Sequence, residues 1–416
     1  MRRGRLAIPV VLCAAALVAG CGGDEEAGPA SINWFVAIQP GGSIQEIATT
    51  CTEQAGGRYE INLELLPTDA DSQREQLVRR LGAEDSSVDL IGMDIPWTAE
   101  FANAGWLRPW EGAQAEQVSR DAFDSAVEAA SFEGKLYGAP FNSNTQLLFY
   151  RKDLAPQPPT TWDQMIQQAE QLGTTIQVQA QRYEGYVVFF NTLLASAGGE
   201  ILSGPEEVDL PQGPTEDALR VIGTLAHSSA AAPDIDTSDE DSARLGYESG
   251  ASAFLINYTF AYGSAGENAP DIQANTGVAR YPEVIPGTLS RPPLGGFNIG
   301  ISAFSDDPEI AFEAATCITS PASQLTATEL DGLPPSNQTL YSDPVVTEAY
   351  PGFAPLVKQS IDDAAVRPLT PAYTDLSLAI QRTLHPPRKI DPDDPGSIYD
   401  ELRANAEDAV KREGLQ

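Results

Sequence analysis

Histidine, cysteine and basic residues are scarce in this 416-residue chain. Its two histidines, His227 and His385, lie far apart and match no metal-ligand spacing. A metal centre needs clustered His, Cys and carboxylate ligands, so no metal site is expected. There is no Cys-x-x-Cys, no Gly-x-Ser-x-Gly and no glycine-rich loop ending in Lys-Ser or Lys-Thr. Nucleophilic catalysis and dinucleotide binding therefore have no support, and no cofactor is expected. Lys and Arg number 25 against 59 Asp and Glu, for a formal net charge of −34. Nucleic acid and anionic lipid surfaces want clustered positive charge, so neither is an expected partner. After the first twenty residues no apolar run approaches the length of a membrane helix.

Those first twenty residues have a pattern of their own. Arg2, Arg3 and Arg5 precede an apolar stretch from Leu6 to Ala19, broken only by Pro9. Basic start and short apolar run together have the layout of a secretory signal, here residues 1–20. The run closes on Val18-Ala19-Gly20-Cys21, which resembles the lipobox of bacterial lipoproteins. Small residues there admit the signal peptidase, and the Cys21 thiol is the expected lipid anchor on the outer face of the cell membrane. The alternative is an ordinary cleaved signal beside a chance cysteine. The polar, Gly-rich stretch that follows makes residues 21–31 a flexible tether. About 400 residues remain, too many for one compact core and suited to two lobes.

Cys13 leaves with the signal and Cys21 is acylated, so Cys51 and Cys317 remain. Two leftover cysteines in an oxidising compartment usually pair, and a bridge over so long a loop contributes roughly 5 kcal/mol on the loop-entropy model. The alternative is two separately buried thiols.

Ile32–Ile38 reads as a buried first strand, followed by a turn and by Ser43 as a plausible N-cap. Ile44, Ile47, Ala48 and Cys51 then recur at helical spacing. Tyr59–Leu65 alternates as a second strand, a helix spans about Asp71–Leu81, and Val88–Asp94 reads as a third strand. This is the doubly wound α/β rhythm with a parallel sheet. Two segments look like crossings between lobes, Gly138–Thr145 and Arg291–Gly300. The expected division is residues 32–141 plus 297–336 in lobe I and 142–296 plus 337–416 in a helix-rich lobe II.

Candidate ligand residues cluster at the predicted lobe edges. Asp94 sits at a strand's carboxyl end, where open α/β sheets place their crevice, or else it caps the helix near Pro96. Asn142 and Asn144 lie at the first crossing, where an amide both donates to and accepts from a hydroxyl. Turn chemistry is the other reading. Glu240 is a cleft carboxylate or helix-start charge. Tyr258 offers a ring face to a pyranose or fills the rim. Arg367 is a long donor or a surface ion pair.

Several blocks together carry a resemblance. They include Asp89-Leu90-Ile91-Gly92-Met93-Asp94, Trp97-Thr98-Ala99-Glu100-Phe101, Asn144-Thr145-Gln146-Leu147-Leu148, Phe190-Asn191-Thr192-Leu193-Leu194, Leu340-Tyr341-Ser342-Asp343-Pro344 and Asp363-Ala364-Ala365-Val366-Arg367-Pro368. In combination the chain resembles the LpqY-type trehalose-binding lipoproteins of ABC sugar importers, over essentially the whole mature length. The resemblance implies two α/β lobes of periplasmic-binding-protein type, joined by a hinge and closing on a disaccharide. It implies a non-catalytic monomer that delivers trehalose to a membrane permease, and it places a cysteine pair at Cys51 and Cys317. Carried over, Asp94, Asn144, Glu240, Gly296 and Arg367 line the cleft, with Gln39 and Asn142 adjacent. One departure is Tyr258, where the family usually has tryptophan. Tyrosine stacks less area on a sugar and adds a hydroxyl, which leaves maltose or another disaccharide or oligosaccharide as the alternative ligand. A secreted glycosidase using Asp94 and Glu240 is a distant third reading.

Overall fold

The structure is a computed structural model that describes residues 28–67 and 69–411. The expected signal, Cys21 and most of the tether lie outside the described residues. Two sheets organise the chain. In the first, Ala30–Ala37 pairs in parallel with Tyr59–Leu66 on one side and with Leu90–Asp94 on the other. The helices Ser43–Ala55 and Ala70–Leu81 supply the crossovers between these strands.

The parallel expectation holds for these three strands and fails for the next. Gly295–Ser302 enters antiparallel to Leu90–Asp94, and Gly138–Asn144 and Leu107–Arg108 pair antiparallel to its far edge. Only Gly295–Ser302 is reversed: Leu107–Arg108 and Gly138–Asn144, both antiparallel to it, run in the same sense as Leu90–Asp94.

Period-two side-chain alternation gives this sheet two buried faces. Trp34 and Val36 join one apolar cluster with Ile44, Ile47 and Cys51. Phe35, Ile91 and Met93 join the opposite cluster with Trp97 and Phe101.

The second sheet orders Thr276–Ala279, Gln146–Arg151, Ser252–Tyr258 and Thr175–Gln177. Leu148, Phe254 and Ile256 face a helix-rich core that includes Glu184–Ser196, Gln212–His227, Tyr373–Leu384 and Tyr399–Val410. Leu147, Phe149 and Leu255 face the other way, onto Ala354–Asp362. Only Thr145 separates the first-sheet strand Gly138–Asn144 from the second-sheet strand Gln146–Arg151.

Cys51 and Cys317 are bonded, 266 positions apart in sequence and 5.9 Å apart at Cα. They join Ser43–Ala55 to Pro308–Ile318, both packed in the same cluster of the first sheet. Ser43 is not the N-cap that its residue type suggests. It is the first helical residue, and the cap is Gly42 in the left-handed region at φ 83°. The carboxylate of Asp331 does the capping instead, accepting from the backbone N–H groups of Gly41 and of Ser43, the latter at 2.9 Å.

Candidate binding site between the two sheets

Asp94 ends its strand at the carboxyl edge of the first sheet. It does not cap the following helix, Trp97–Asn103, whose N-cap is Pro96 with no side-chain bond. Its two oxygens take both terminal nitrogens of Arg367, Nη2 to Oδ1 at 2.6 Å and Nη1 to Oδ2 at 3.0 Å. Arg367 reaches this edge because Ala365 is bridged to Pro293, with Ala365 N–H donating to the Pro292 carbonyl at 2.7 Å. The guanidinium is buried and shared with a second carboxylate, Nη1 to Glu184 Oε1 at 2.8 Å.

Glu184 opens the helix Glu184–Ser196 of the second lobe. It is further held by the Tyr373 hydroxyl and by Ser377 Oγ at 2.6 Å. Burial raises its carboxyl above the usual range, while the Arg367 charge and these hydrogen bonds pull it back. Burial also works against the Arg367 charge, but its neighbours, Asp94 foremost, outweigh it and keep the guanidinium protonated. Such a trio is tolerable in a protein interior because each charge is both paired and hydrogen-bonded.

Register places the amides beside this pair. Phe297 pairs with Asp94 on one edge and with Asn142 on the other, so the three stand in one row across the sheet. Asn142 is buried, and its Oδ1 accepts from Phe297 N–H at 3.0 Å. Gly296 follows in the left-handed region at φ 117°, and a Cβ there would lie 2.1 Å from the Asn142 carbonyl oxygen. Only glycine fits that approach. Asn144 pairs with Gly295, and its Oδ1 accepts from Thr145 N–H at 2.9 Å and Thr259 Oγ1 at 3.3 Å. These asparagines lie in a strand and its exit, so their chemistry is not that of a tight turn.

From the second lobe, Tyr258 ends its strand against Gly295, where a Cβ would meet the ring's Cε1 at 3.2 Å. Glu240 is the first residue of Glu240–Glu248, but the cap there belongs to Asp239, in a reciprocal box with Ser242. Its carboxylate instead accepts from the Tyr183 hydroxyl at 2.6 Å, and its main-chain carbonyl accepts from Asn257 Nδ2 at 2.8 Å. Burial pushes the Glu240 carboxyl up to about 7, with Asp239 and Asp241 adding to the rise and the Tyr183 hydrogen bond opposing it. Burial, with the Glu240 charge second, raises the Tyr258 phenol.

The structure thus brings Asp94 to Arg367, Asn142 to Gly296 and Asn144 to Gly295 and, across it, Tyr258. Glu240 acts electrostatically on Tyr258. Gln39 lies just past its strand at the same carboxyl edge as Asp94, and its described hydrogen bond is a turn contact from Gly42 N–H to its backbone carbonyl at 3.2 Å. Sequence reasoning missed Glu184, Tyr183, Tyr373 and Ser377. It also missed a second link between the lobes, Thr374 Oγ1 to Glu100 Oε2 at 3.2 Å, where Glu100 also pairs with Arg74. One signal was available: Glu184 is a carboxylate opening an otherwise apolar helix, Gly185-Tyr186-Val187-Val188-Phe189-Phe190. Among the described residues no group of three or more His, Cys, Asp or Glu is placed to hold a metal ion.

Two α/β lobes meeting over a polar, charge-paired edge define a hinged binding protein. The chain belongs to the bacterial extracellular solute-binding protein family, whose model matches residues 46–355. This is a family of binding proteins and not of enzymes. A probable ABC transporter-binding protein of Deinococcus radiodurans is 25% identical over 74% of this chain and 76% of its own length. Among solved structures, maltose-bound MalE3 of T. maritima has a TM-score of 0.80 at 24% identity, covering 92% of this chain and 99% of that one. The GacH receptor of Streptomyces glaucescens, described unliganded and with acarbose, has a TM-score of 0.78 at 21% identity, covering 92% and 98%. These likenesses establish the two-lobe fold.

Proposed function

We propose that this protein captures a disaccharide, trehalose first and maltose as the alternative, and delivers it to the permease of an ABC importer. The observation that carries this reading is a pair of stranded donors. Of the buried side-chain atoms that find no hydrogen-bond partner among the described residues, two belong to the expected ligand set, Arg367 Nε and Asn142 Nδ2. Buried N–H groups are costly unless something accepts from them, and sugar hydroxyl oxygens are acceptors of the right kind. Asp94, Asn144 and Glu240 supply acceptors for the sugar's own hydroxyls, and the Tyr258 ring supplies an apolar face. Gly296 and Gln39 complete the lining. Solved relatives described with maltose, acarbose and tagatose support a sugar as the ligand.

On this reading the chain crosses between lobes at Thr145 and just before Gly295, a few residues from the boundaries expected at 141/142 and 296/297, and the molecule acts as a monomer tethered through Cys21. The cavity bounded by Asp71, Arg74, Trp97, Glu184, Thr374 and Ser377 is about 20 Å³. That is room for one water, and a disaccharide needs a site of several hundred Å³. That cavity lies behind Arg367 and not among the sugar contacts; on this reading the lobes part to admit the sugar, and binding shifts the population back toward closure.

The test is a thermal-shift panel on the purified mature chain with trehalose, maltose and other disaccharides. A native-state ligand at 100 times its Kd contributes about 2.7 kcal/mol. Trehalose should give the largest rise in Tm. A larger rise with maltose moves the assignment to the alternative, and no rise with any disaccharide at millimolar concentration refutes sugar capture.

A further inference from the structure

We propose that the Tyr183-Glu184-Gly185 turn positions two of the three charged side chains of the site, Tyr183 aiming Glu240 and Glu184 aiming Arg367. The inference rests on the reading of Glu240 and Arg367 as sugar contacts. Neither Tyr183 nor Glu184 belongs to the expected ligand set. Yet consecutive residues at one helix start each hold a member of it.

The geometry is specific. Tyr183 is the N-cap of Glu184–Ser196 in extended backbone, and its side chain makes no capping bond. Its ring folds back over Gly185, so that a Cβ there would lie 2.2 Å from both Cζ and the hydroxyl oxygen. From that position the hydroxyl donates to Glu240 Oε2 at 2.6 Å. Glycine at 185 is the space that lets the phenol reach across. Glu184 uses both oxygens, Oε1 on Arg367 and Tyr373 and Oε2 on Ser377. Tyr373 and Ser377 share one helix, Tyr373–Leu384, so Glu184 is clamped from a second element and cannot follow Arg367 if the guanidinium moves. A fixed carboxylate behind a guanidinium fixes the direction of its remaining N–H groups.

Four groups face the Glu240 carboxyl. Asp239 and Asp241 come from its own segment, while Tyr183 and Tyr258 come from the elements packed against it. Of these Tyr183 alone donates a hydrogen bond to it, which favours the ionised form.

The test is calorimetric titration of the mature chain with trehalose and with maltose, from about pH 5.5 to 8.5, with Tm recorded in parallel. Wild type should bind more tightly as Glu240 ionises, with a midpoint near 7. Tyr183→Phe should move that midpoint upward by at least half a pH unit. Gly185→Ala, by displacing the same ring, should reproduce the move and, because the ring is packed against that position, lower Tm as well. Glu184→Gln should weaken binding about tenfold at every pH and leave the midpoint in place. Profiles that superimpose on wild type overturn the inference. Wild type binding neither sugar refutes sugar capture instead. The positioning role is then decided by a carboxyl-carbon NMR titration of Glu240 in the ligand-free chain. Its midpoint must still rise in Tyr183→Phe, and an unchanged midpoint overturns the proposal.

Discussion

Arg367 and Asp94 form a two-pronged ion pair across 273 positions of sequence, one residue from a loop late in the chain and the other from the carboxyl edge of the first sheet. The same guanidinium holds Glu184 of the second lobe, so a single side chain spans the meeting of the two sheets.

Removing that guanidinium leaves Asp94 and Glu184 with no cation between them. Breaking a buried pair by deleting one partner costs about 3–5 kcal/mol. Arg367→Ala should lose that much in a denaturant titration and should no longer bind sugar. Arg367→Lys should recover part of the stability, because an ammonium keeps the charge and lacks the parallel donors. An unchanged unfolding midpoint in Arg367→Ala would show that the trio is not structural.

Glu240 makes stability depend on pH in a defined direction. Its ordinary value of 4.5 is raised to about 7 in the fold. Between those values the folded chain keeps a proton that the unfolded chain has released. This group's contribution therefore falls as pH rises through that window and levels off above 7. Glu240→Gln carries no such penalty. It should be more stable than wild type above pH 7, by on the order of 3 kcal/mol, and should match it near pH 4. Parallel stability curves for the two proteins across that range would contradict the buried placement.

Gly295 is the floor on which Tyr258 rests. Gly295→Ala puts a methyl 3.2 Å from the ring, close enough to push the phenol aside. Sugar affinity should fall several-fold while Tm stays within a degree or two, measured by calorimetry and thermal melts on one sample. Equal affinity would remove Tyr258 from the site.

Asp331 caps a helix that begins 288 positions earlier in the chain. Losing a side-chain cap costs about 0.5–2 kcal/mol. Asp331→Ala should lower stability by that amount, and Asp331→Asn should restore most of it. Hydrogen exchange should show the loss at Ser43–Ala55 first.

Much of this architecture is written locally. The strand at Tyr59 begins where alternation says it should, and Ala70–Leu81 differs from the expected helix by one residue, because periodicity and apolar pattern decide both. The cysteine pair was legible from elimination alone. What local pattern does not carry is partnership over distance. Ser43 has the residue type of a cap, but Asp331 arrives from a later helix and takes the role. Asp94 sits where a cap is plausible, and Arg367 claims it. Glu184 carries no hint of its partners, because Tyr373 and Ser377 meet it only once the second lobe has packed. The direction of Gly295–Ser302 is likewise a consequence of where the chain re-enters the first sheet.

The bond between Cys51 and Cys317 encloses all four strands of the second sheet within one covalent ring. A protease that cuts anywhere inside that ring opens it without releasing a fragment. A nicked molecule would travel as a single species until it met a reductant. On the outside of a cell, where proteases are common and reductants are not, a single cut inside the ring leaves the binding protein in one piece.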